Sequence, residues 1–386
     1  MDRFDNDQMA AYHGLSSIPA GVAFIPGGPG AGKTWWTLMM AVLAQAGRKH
    51  TRMLYLLDIN KTVDDAAGKI QAIYNNLGLQ RSVVRLYKSQ WPKGHLADEE
   101  NYDEEVYDEN GFRISNADSK WTSIKSVDWT SNFLRQRDQI HHRELSLAAT
   151  LDQMAWGRYK SSGLYPAIEL ALARMSDATQ TDEHGADMKI LRSELIQLYA
   201  DTLDNIDFLA TTPVAGRALS GMYQPDLVIF DECAHARELS TLIALAHFTP
   251  KAWFLVGDHR QDEPFVQSLA QPPVHLRIST MERAAINNAI SHQLLVNHRA
   301  YGGLERLASS LFYDGKMRSG KTRDNLFPTS LQHLRKWLDE MAGVYPMYGD
   351  LTTPRLIVSE TDNVRARKAG TSFWKPRHHE FVMDKV

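Results

Sequence analysis

The sequence predicts an α/β protein: a parallel sheet with a glycine-rich phosphate loop, a largely helical insertion in that sheet domain, and a partial second α/β unit. Three observations predict it. Residues 21–57 read strand, Gly/Pro-rich loop, helix, strand. Three later apolar runs, Ile206–Ala210, Asp226–Phe230 and Ala252–Val256, have the unbroken hydrophobicity of strands covered on both faces. Residues 354–358, Pro-Arg-Leu-Ile-Val, read as a new strand after a Pro/Gly-rich approach.

The first unit is the best defined. Gly21–Pro26 is a short apolar run, Gly27–Thr34 a loop, and Trp35–Gln45 carries no Gly or Pro and reads as a buried helix. Met53–Leu57 is the second strand of this βαβ unit, which implies a parallel sheet with a right-handed crossover. Residues 98–109 hold eight carboxylates, expected to form a solvated loop because such blocks repel one another. The pattern from Trp121 through Leu145, Leu151 and Met154 to Leu198 is helical. Residues 280–317 also look helical, ending at Tyr313-Asp314-Gly315. The expected organisation is therefore 1–88 and 201–272 as one sheet domain, 89–200 as its acidic and helical insertion, and 273–386 as the partial second domain.

Composition excludes several classes. Of the 386 residues, 43% are hydrophobic and 23% charged, which rules out a disordered, collagenous or coiled-coil chain. The net charge of −3 neither announces nor excludes a nucleic-acid partner, because a local groove matters more than the sum. The single cysteine, Cys233, excludes an internal disulfide framework. No apolar run approaches the ~20 residues that span a bilayer. The expectation is an intracellular protein, of nucleus or cytoplasm, with no membrane partner. His141-His142 and His378-His379 are adjacent pairs, unlike the spacing of a tetrahedral metal site.

The chemistry begins at Gly27-Gly28-Pro29-Gly30-Ala31-Gly32-Lys33-Thr34, the pattern G-x-x-x-x-G-K-[ST]. Its glycines let successive N–H groups turn toward phosphate oxygens, and the following helix adds its positive end. Lys33 is placed to reach the β- and γ-phosphates of ATP, and the Thr34 hydroxyl to bind Mg²⁺. The same string recurs at Gly315–Thr322, but no strand feeds it, its middle is bulky and charged, and Pro328 follows. It is expected to be an exposed basic loop. Asp226–Glu232 is a strand ending in two carboxylates, with Asp231 suited to hold Mg²⁺ through water and Glu232 to deprotonate the attacking water. Cys233 reads as a small residue beneath that loop. Gly257-Asp258-His259-Arg260-Gln261 ends the next strand, where Gln261 can bridge the γ-phosphate to a neighbouring domain.

In order, these stretches resemble motifs I, II and III of superfamily 1 helicases, in the up-frameshift and senataxin-like branch, whose fold is RecA-like. The resemblance implies further roles. Phe4-Asp5-Asn6-Asp7-Gln8 is similar to the branch's Q motif, with Gln8 on the adenine edge. Asp58–Asp64 and Ala210-Thr211-Thr212 resemble its strand-contacting segments, implying that Asn60, Thr62, Thr211 and Thr212 hold single-stranded RNA or DNA. Leu295–Arg299, followed by Leu311–Lys316, resembles motif IV and the segment after it. Arg299 would reach the γ-phosphate, and His298 stands where the branch usually stacks a tyrosine on adenine. No match to motifs V and VI follows, so the chain is expected to be a core excerpt or a shortened gene product. The alternative reading is a truncated module that binds ATP or a partner without unwinding. A further one is a P-loop ATPase that works on protein.

Overall fold

The computed structural model describes residues 3–47, 50–86, 133, 148–176, 184–261, 263–264, 273–301, 303–321, 329, 333, 336–337, 367–369 and 372–374. The acidic stretch 98–109, the pattern from Trp121 to Leu145 apart from residue 133, the strand expected at 354–358 and both histidine pairs lie outside the described residues. The chain divides into two compact units, one of Met1–Gly27 with Gly32–Leu294 and one of Gly28–Ala31 with Leu295–Val386.

The first unit is a seven-stranded, all-parallel α/β sheet. Its strands are β1 (Val22–Pro26), β2 (Met53–Leu56), β3 (Val83–Leu86), β4 (Ala149–Thr150), β5 (Phe208–Thr211), β6 (Leu227–Phe230) and β7 (Ala252–Gly257). Their order is β1-β7-β6-β2-β5-β3-β4. Every residue of β2, β5 and β6 is buried, as the unbroken apolar runs require of strands covered on both faces.

The helices are α1 (Asn6–Gly14), α2 (Lys33–Gln45), α3 (Asn60–Asn76), α4 (Leu151–Ser162), α5 (Pro166–Ser176), α6 (His184–Leu203), α7 (Pro213–Gly216), α8 (Glu238–His247), α9 (Val274–Arg277) and α10 (Thr280–Ile286). α1 starts at a reciprocal cap: the Asp5 carboxylate accepts from the Asp7 and Gln8 N–H groups, and Gln8 Oε1 accepts from the Asp5 N–H. Leu151, Ala155, Leu191, Leu195 and Leu198 of α4 and α6 share one core with Leu54, Val84 and Leu209 of the sheet. The described helices of residues 151–203 are thus integral to the sheet domain's core. The free edge of β1 is covered by its own domain. The Ser291 N–H donates to Phe24 at 3.1 Å and the Leu294 N–H to Pro26 at 2.9 Å.

In the second unit, β8 (Val296–Asn297) pairs in parallel with β9 (Arg318–Ser319), and α11 spans Glu305–Phe312. Residues 367–369 and 372–374 form the antiparallel pair β10 and β11. The helix expected over 280–317 is corrected by these elements. α10 stops at Ile286, Asn288 turns left-handed with φ 55°, and the chain becomes strand before α11 begins. Apolar spacing alone had joined two short helices across a strand.

Candidate active site

The carboxyl ends of β1, β7 and β6 lie side by side, because β7 sits between the other two. Ligands of open parallel sheets bind at this edge. Backbone bonds fix the three exits against one another. The Gly27 N–H donates to Gly257 O at 2.9 Å, and the Cys233 N–H donates to Val256 O at 2.9 Å. Gly257 is required there: a Cβ on it would lie 2.8 Å from the Ala234 nitrogen.

β1 runs into the loop Gly27–Thr34, and α2 starts at Lys33. Its N-cap, Gly32, has φ 74°, a conformation L side chains rarely adopt. Lys33 is buried, and its ammonium donates to Gly27 O at 3.0 Å and lies 4.0 Å from Glu232 Oε1. Glu232 adopts φ 53°, a left-handed conformation unusual for a side-chain-bearing residue. Such strain persists where surrounding contacts enforce it, and it often marks functional turns. Glu232 Oε2 is buried without a hydrogen bond, with His235 Nε2 at 3.7 Å.

Asp231 is fully buried. The Tyr55 hydroxyl donates to its Oδ2 at 2.8 Å, the Glu232 N–H to its Oδ1 at 3.1 Å, and the Thr34 hydroxyl also bonds to it. Burial first, then the Glu232 charge, pushes the carboxyl up to about 6. Tyr55 is held protonated by burial and by Asp231, so it remains a donor, and it also meets Thr37 Oγ1 at 2.7 Å. Sequence reasoning missed Tyr55 and Thr37. The available signal was a tyrosine in an otherwise apolar buried strand, whose hydroxyl must find a partner. Cys233 is fully buried, and burial raises its thiol, so it is no nucleophile.

Gln261 is exposed, and its amide donates to the buried Asp258 at 2.8 Å. Gln8 is buried, with a nitrogen 3.2 Å from where a Cβ on Gly32 would stand. Asn60 opens α3 and is exposed, and Thr62 donates its hydroxyl to Ile59 O at 2.6 Å. Thr211 is corrected as a surface contact. It is fully buried, and its hydroxyl donates to Leu86 O at 2.9 Å. Thr212 is half-buried and caps α7.

Within the second unit, Asn297 is a clamp that the sequence did not single out. Its amide donates to Pro29 O at 2.6 Å, and its Oδ1 accepts from the Arg299 and Ala300 N–H groups at 3.0 and 2.7 Å. The His298 N–H donates to Gly30 O at 2.9 Å, and the Cβ of Arg299 lies beside Gly30. The repeated string at Gly315–Lys321 contains strand β9 where a phosphate loop needs a helix, and Lys321 rests over the Tyr301 ring. Among the described residues, no group of three or more His, Cys, Asp or Glu could hold a metal ion, and no helix is long and apolar enough to cross a membrane.

A parallel sheet with a glycine-rich loop, a buried lysine at the start of the following helix, and an Asp-Glu pair two strands away, across β7, defines a P-loop NTPase with a RecA-like fold. Residues 3–269 match the AAA_11 family, described as AAA domain, and the chain belongs to that family, a superfamily 1 helicase core. Over 152 residues it is 29% identical to "DNA replication ATP-dependent helicase/nuclease DNA2" of Gallus gallus, covering 38% of this chain and 15% of that protein. Over 119 residues it is 34% identical to "DNA-binding protein SMUBP-2" of Rattus norvegicus, covering 30% of this chain and 11% of that one. Over 100 residues it is 35% identical to "Probable helicase with zinc finger domain" of Mus musculus, covering 24% and 5%. The matches thus take in at most 15% of the length of these relatives.

Proposed function

We propose that the chain is an ATP-hydrolysing motor core that acts on single-stranded nucleic acid, RNA or DNA. The observation that carries this reading is the meeting of Lys33 and Glu232 at 4.0 Å beside the Thr34–Asp231 pair. The N–H groups of Gly28, Gly30, Ala31, Gly32, Lys33 and Thr34 offer a cradle for phosphate oxygens, with Gly27 at its entrance and Pro29, which has no N–H, between Gly28 and Gly30. Lys33 exchanges its pairing with Glu232 for the β- and γ-phosphates. Glu232, released, orients the attacking water and takes its proton. Gln261 senses the γ-phosphate, and Arg299, beside Gly30 in the second unit, meets its developing charge.

The residues fit Mg²⁺. A buried carboxylate with a raised proton affinity, bonded to a threonine hydroxyl, supplies oxygen donors that suit a hard cation completed by water and phosphate. Thr34 and Asp231 would hold it, Asp231 through water. When bound, Mg²⁺ neutralises phosphate charge. Gln8 and His298 are assigned to the nucleoside end of the site. Asn60, Thr62 and Thr212 are assigned to the strand, where hydroxyls and amides hold phosphates without reading bases.

The test is ATP hydrolysis by the purified chain with and without single-stranded DNA and RNA. Stimulation by a strand is the expected result. Hydrolysis indifferent to any strand would point to a protein-directed ATPase, and binding without turnover to a non-catalytic module.

A further inference from the structure

Asp231 is held twice from β2. Its N–H donates to Leu56 O at 3.0 Å, and the Tyr55 hydroxyl, one residue earlier in that strand, donates to its Oδ2 at 2.8 Å. The register gives the reach: Tyr55 stands opposite Ile229 of β6, two residues before Asp231. The other carboxylate oxygen, Oδ1, accepts from the Glu232 N–H at 3.1 Å. The terminal torsion of an aspartate is soft. A carboxylate held through one oxygen turns about it, whereas donors on both oxygens fix its plane.

The hydroxyls continue into the phosphate helix. Tyr55 Oη lies 2.7 Å from Thr37 Oγ1, and Thr37 Oγ1 lies 2.9 Å from the Thr34 carbonyl oxygen. The Thr34 hydroxyl closes the ring on Asp231. Thr34 is therefore tied at its carbonyl through Thr37 and at its hydroxyl through Asp231. The hydroxyl hydrogens of Thr34, Thr37 and Tyr55 are one fewer than the contacts of this ring. Tyr55 and Thr34 direct theirs to Asp231, which leaves Thr37 a single hydrogen for either Tyr55 or the Thr34 carbonyl. Tyr55 is the member that Asp231 depends on, and Thr37 the replaceable one. Tyr55, Thr37 and Asp231 are all fully buried, so bulk water does not stand in for a missing hydroxyl. Packing does not call for the hydroxyl either. The Tyr55 ring lies 5.4 Å from that of Phe208, a contact phenylalanine would keep.

From this ring we infer that Tyr55 is a positioning residue for the divalent cation: its hydroxyl sets the Asp231 carboxylate, and through it the Thr34 hydroxyl, in place before the ion arrives. The inference rests on the assignment of Thr34 and Asp231 to Mg²⁺. Its consequence is selective. Tyr55 strengthens binding of nucleotide with the cation and leaves binding of nucleotide alone untouched, because the phosphate cradle is made of backbone N–H groups elsewhere in the loop.

Binding of AMPPNP, an ATP analogue that resists hydrolysis, tests it. Affinity is measured for the full chain, for Tyr55→Phe and for Thr37→Val, each in Mg²⁺ and in EDTA. In the unaltered chain Mg²⁺ should tighten binding. Tyr55→Phe should lose about tenfold or more of the affinity in Mg²⁺, the cost of removing a group that orients a metal ligand, and should match the parent in EDTA. Thr37→Val keeps the Tyr55–Asp231 contact and should lose clearly less. An unchanged affinity of Tyr55→Phe in Mg²⁺ overturns the inference. So does an equal loss in EDTA, which marks a general defect of the fold or loop, or a loss in Thr37→Val as large as that in Tyr55→Phe. An unaltered chain that binds AMPPNP equally well in Mg²⁺ and in EDTA overturns the assignment of Thr34 and Asp231 to the cation, and the inference with it.

Discussion

The Lys33 ammonium sits 3.0 Å from the Gly27 carbonyl and 4.0 Å from Glu232, so the lysine that would hold phosphate pairs with the carboxylate that would activate water. A ligand that drew Lys33 onto its phosphates would therefore free Glu232 as well.

Removing that lysine should cost affinity. Lys33→Ala loses a charge-assisted contact to phosphate, so nucleotide affinity should fall by roughly ten- to a hundred-fold in a fluorescent-ATP titration. Lys321→Ala, in the repeated string, should bind as the unaltered chain does. Equal losses would mean that the wrong loop has been assigned.

Glu232→Gln keeps shape and hydrogen bonding and removes the base. Nucleotide binding should persist while hydrolysis drops by ~10²-fold or more in a phosphate-release assay. Hydrolysis at the parental rate would remove Glu232 from the mechanism.

Asp231 predicts a pH dependence for the metal-free chain. Its carboxyl titrates near 3.8 when unfolded and is pushed up to about 6 by burial in the fold. The folded state therefore holds the proton more tightly, and its advantage, present below about 4, is lost as pH rises through about 6. The gap corresponds to on the order of 3 kcal/mol between the two protonation states. Metal-free Asp231→Asn should melt higher than the parent at pH 7.5, with the difference shrinking at pH 4.5. A difference that grows toward acid would reverse the sign.

Two glycines should respond oppositely to alanine. Gly257→Ala forces a Cβ to within 2.8 Å of the Ala234 nitrogen, so the Asp-Glu turn must shift, lowering both melting temperature and hydrolysis. Gly157, inside α4, has nothing within 4 Å, and alanine there should stabilise by about 0.5–1 kcal/mol through helix propensity. Thermal melts of the two variants decide both signs.

Thr211 and Thr212 separate folding from strand contact. Thr211→Val leaves the buried Leu86 carbonyl without its donor and should cost about 1–3 kcal/mol of stability. Thr212→Ala should weaken single-strand binding in an anisotropy titration with a smaller effect on melting. The opposite pattern would place the strand elsewhere.

The sequence by itself determined the local chemistry. Gly27–Thr34 between an apolar run and a helix, and a strand ending in Asp231-Glu232, are legible because phosphate binding and strand burial each need fixed residue types at fixed spacing. The parallel sheet was equally legible, since only strands covered on both faces are apolar throughout. Tertiary structure alone decided that β7 lies between β1 and β6, which sets Gly257 against Ala234 and brings Lys33 to Glu232. It also decided that Thr211 faces inward while Thr212 caps a helix, that Tyr55 supports Asp231, and that Asn297 clamps Pro29. β3, β4 and α3 stayed hidden for the same reason. A two-residue strand such as β4 has no period to detect, and strand order and side-chain partners arise from contacts between residues far apart in the chain, which local pattern does not encode.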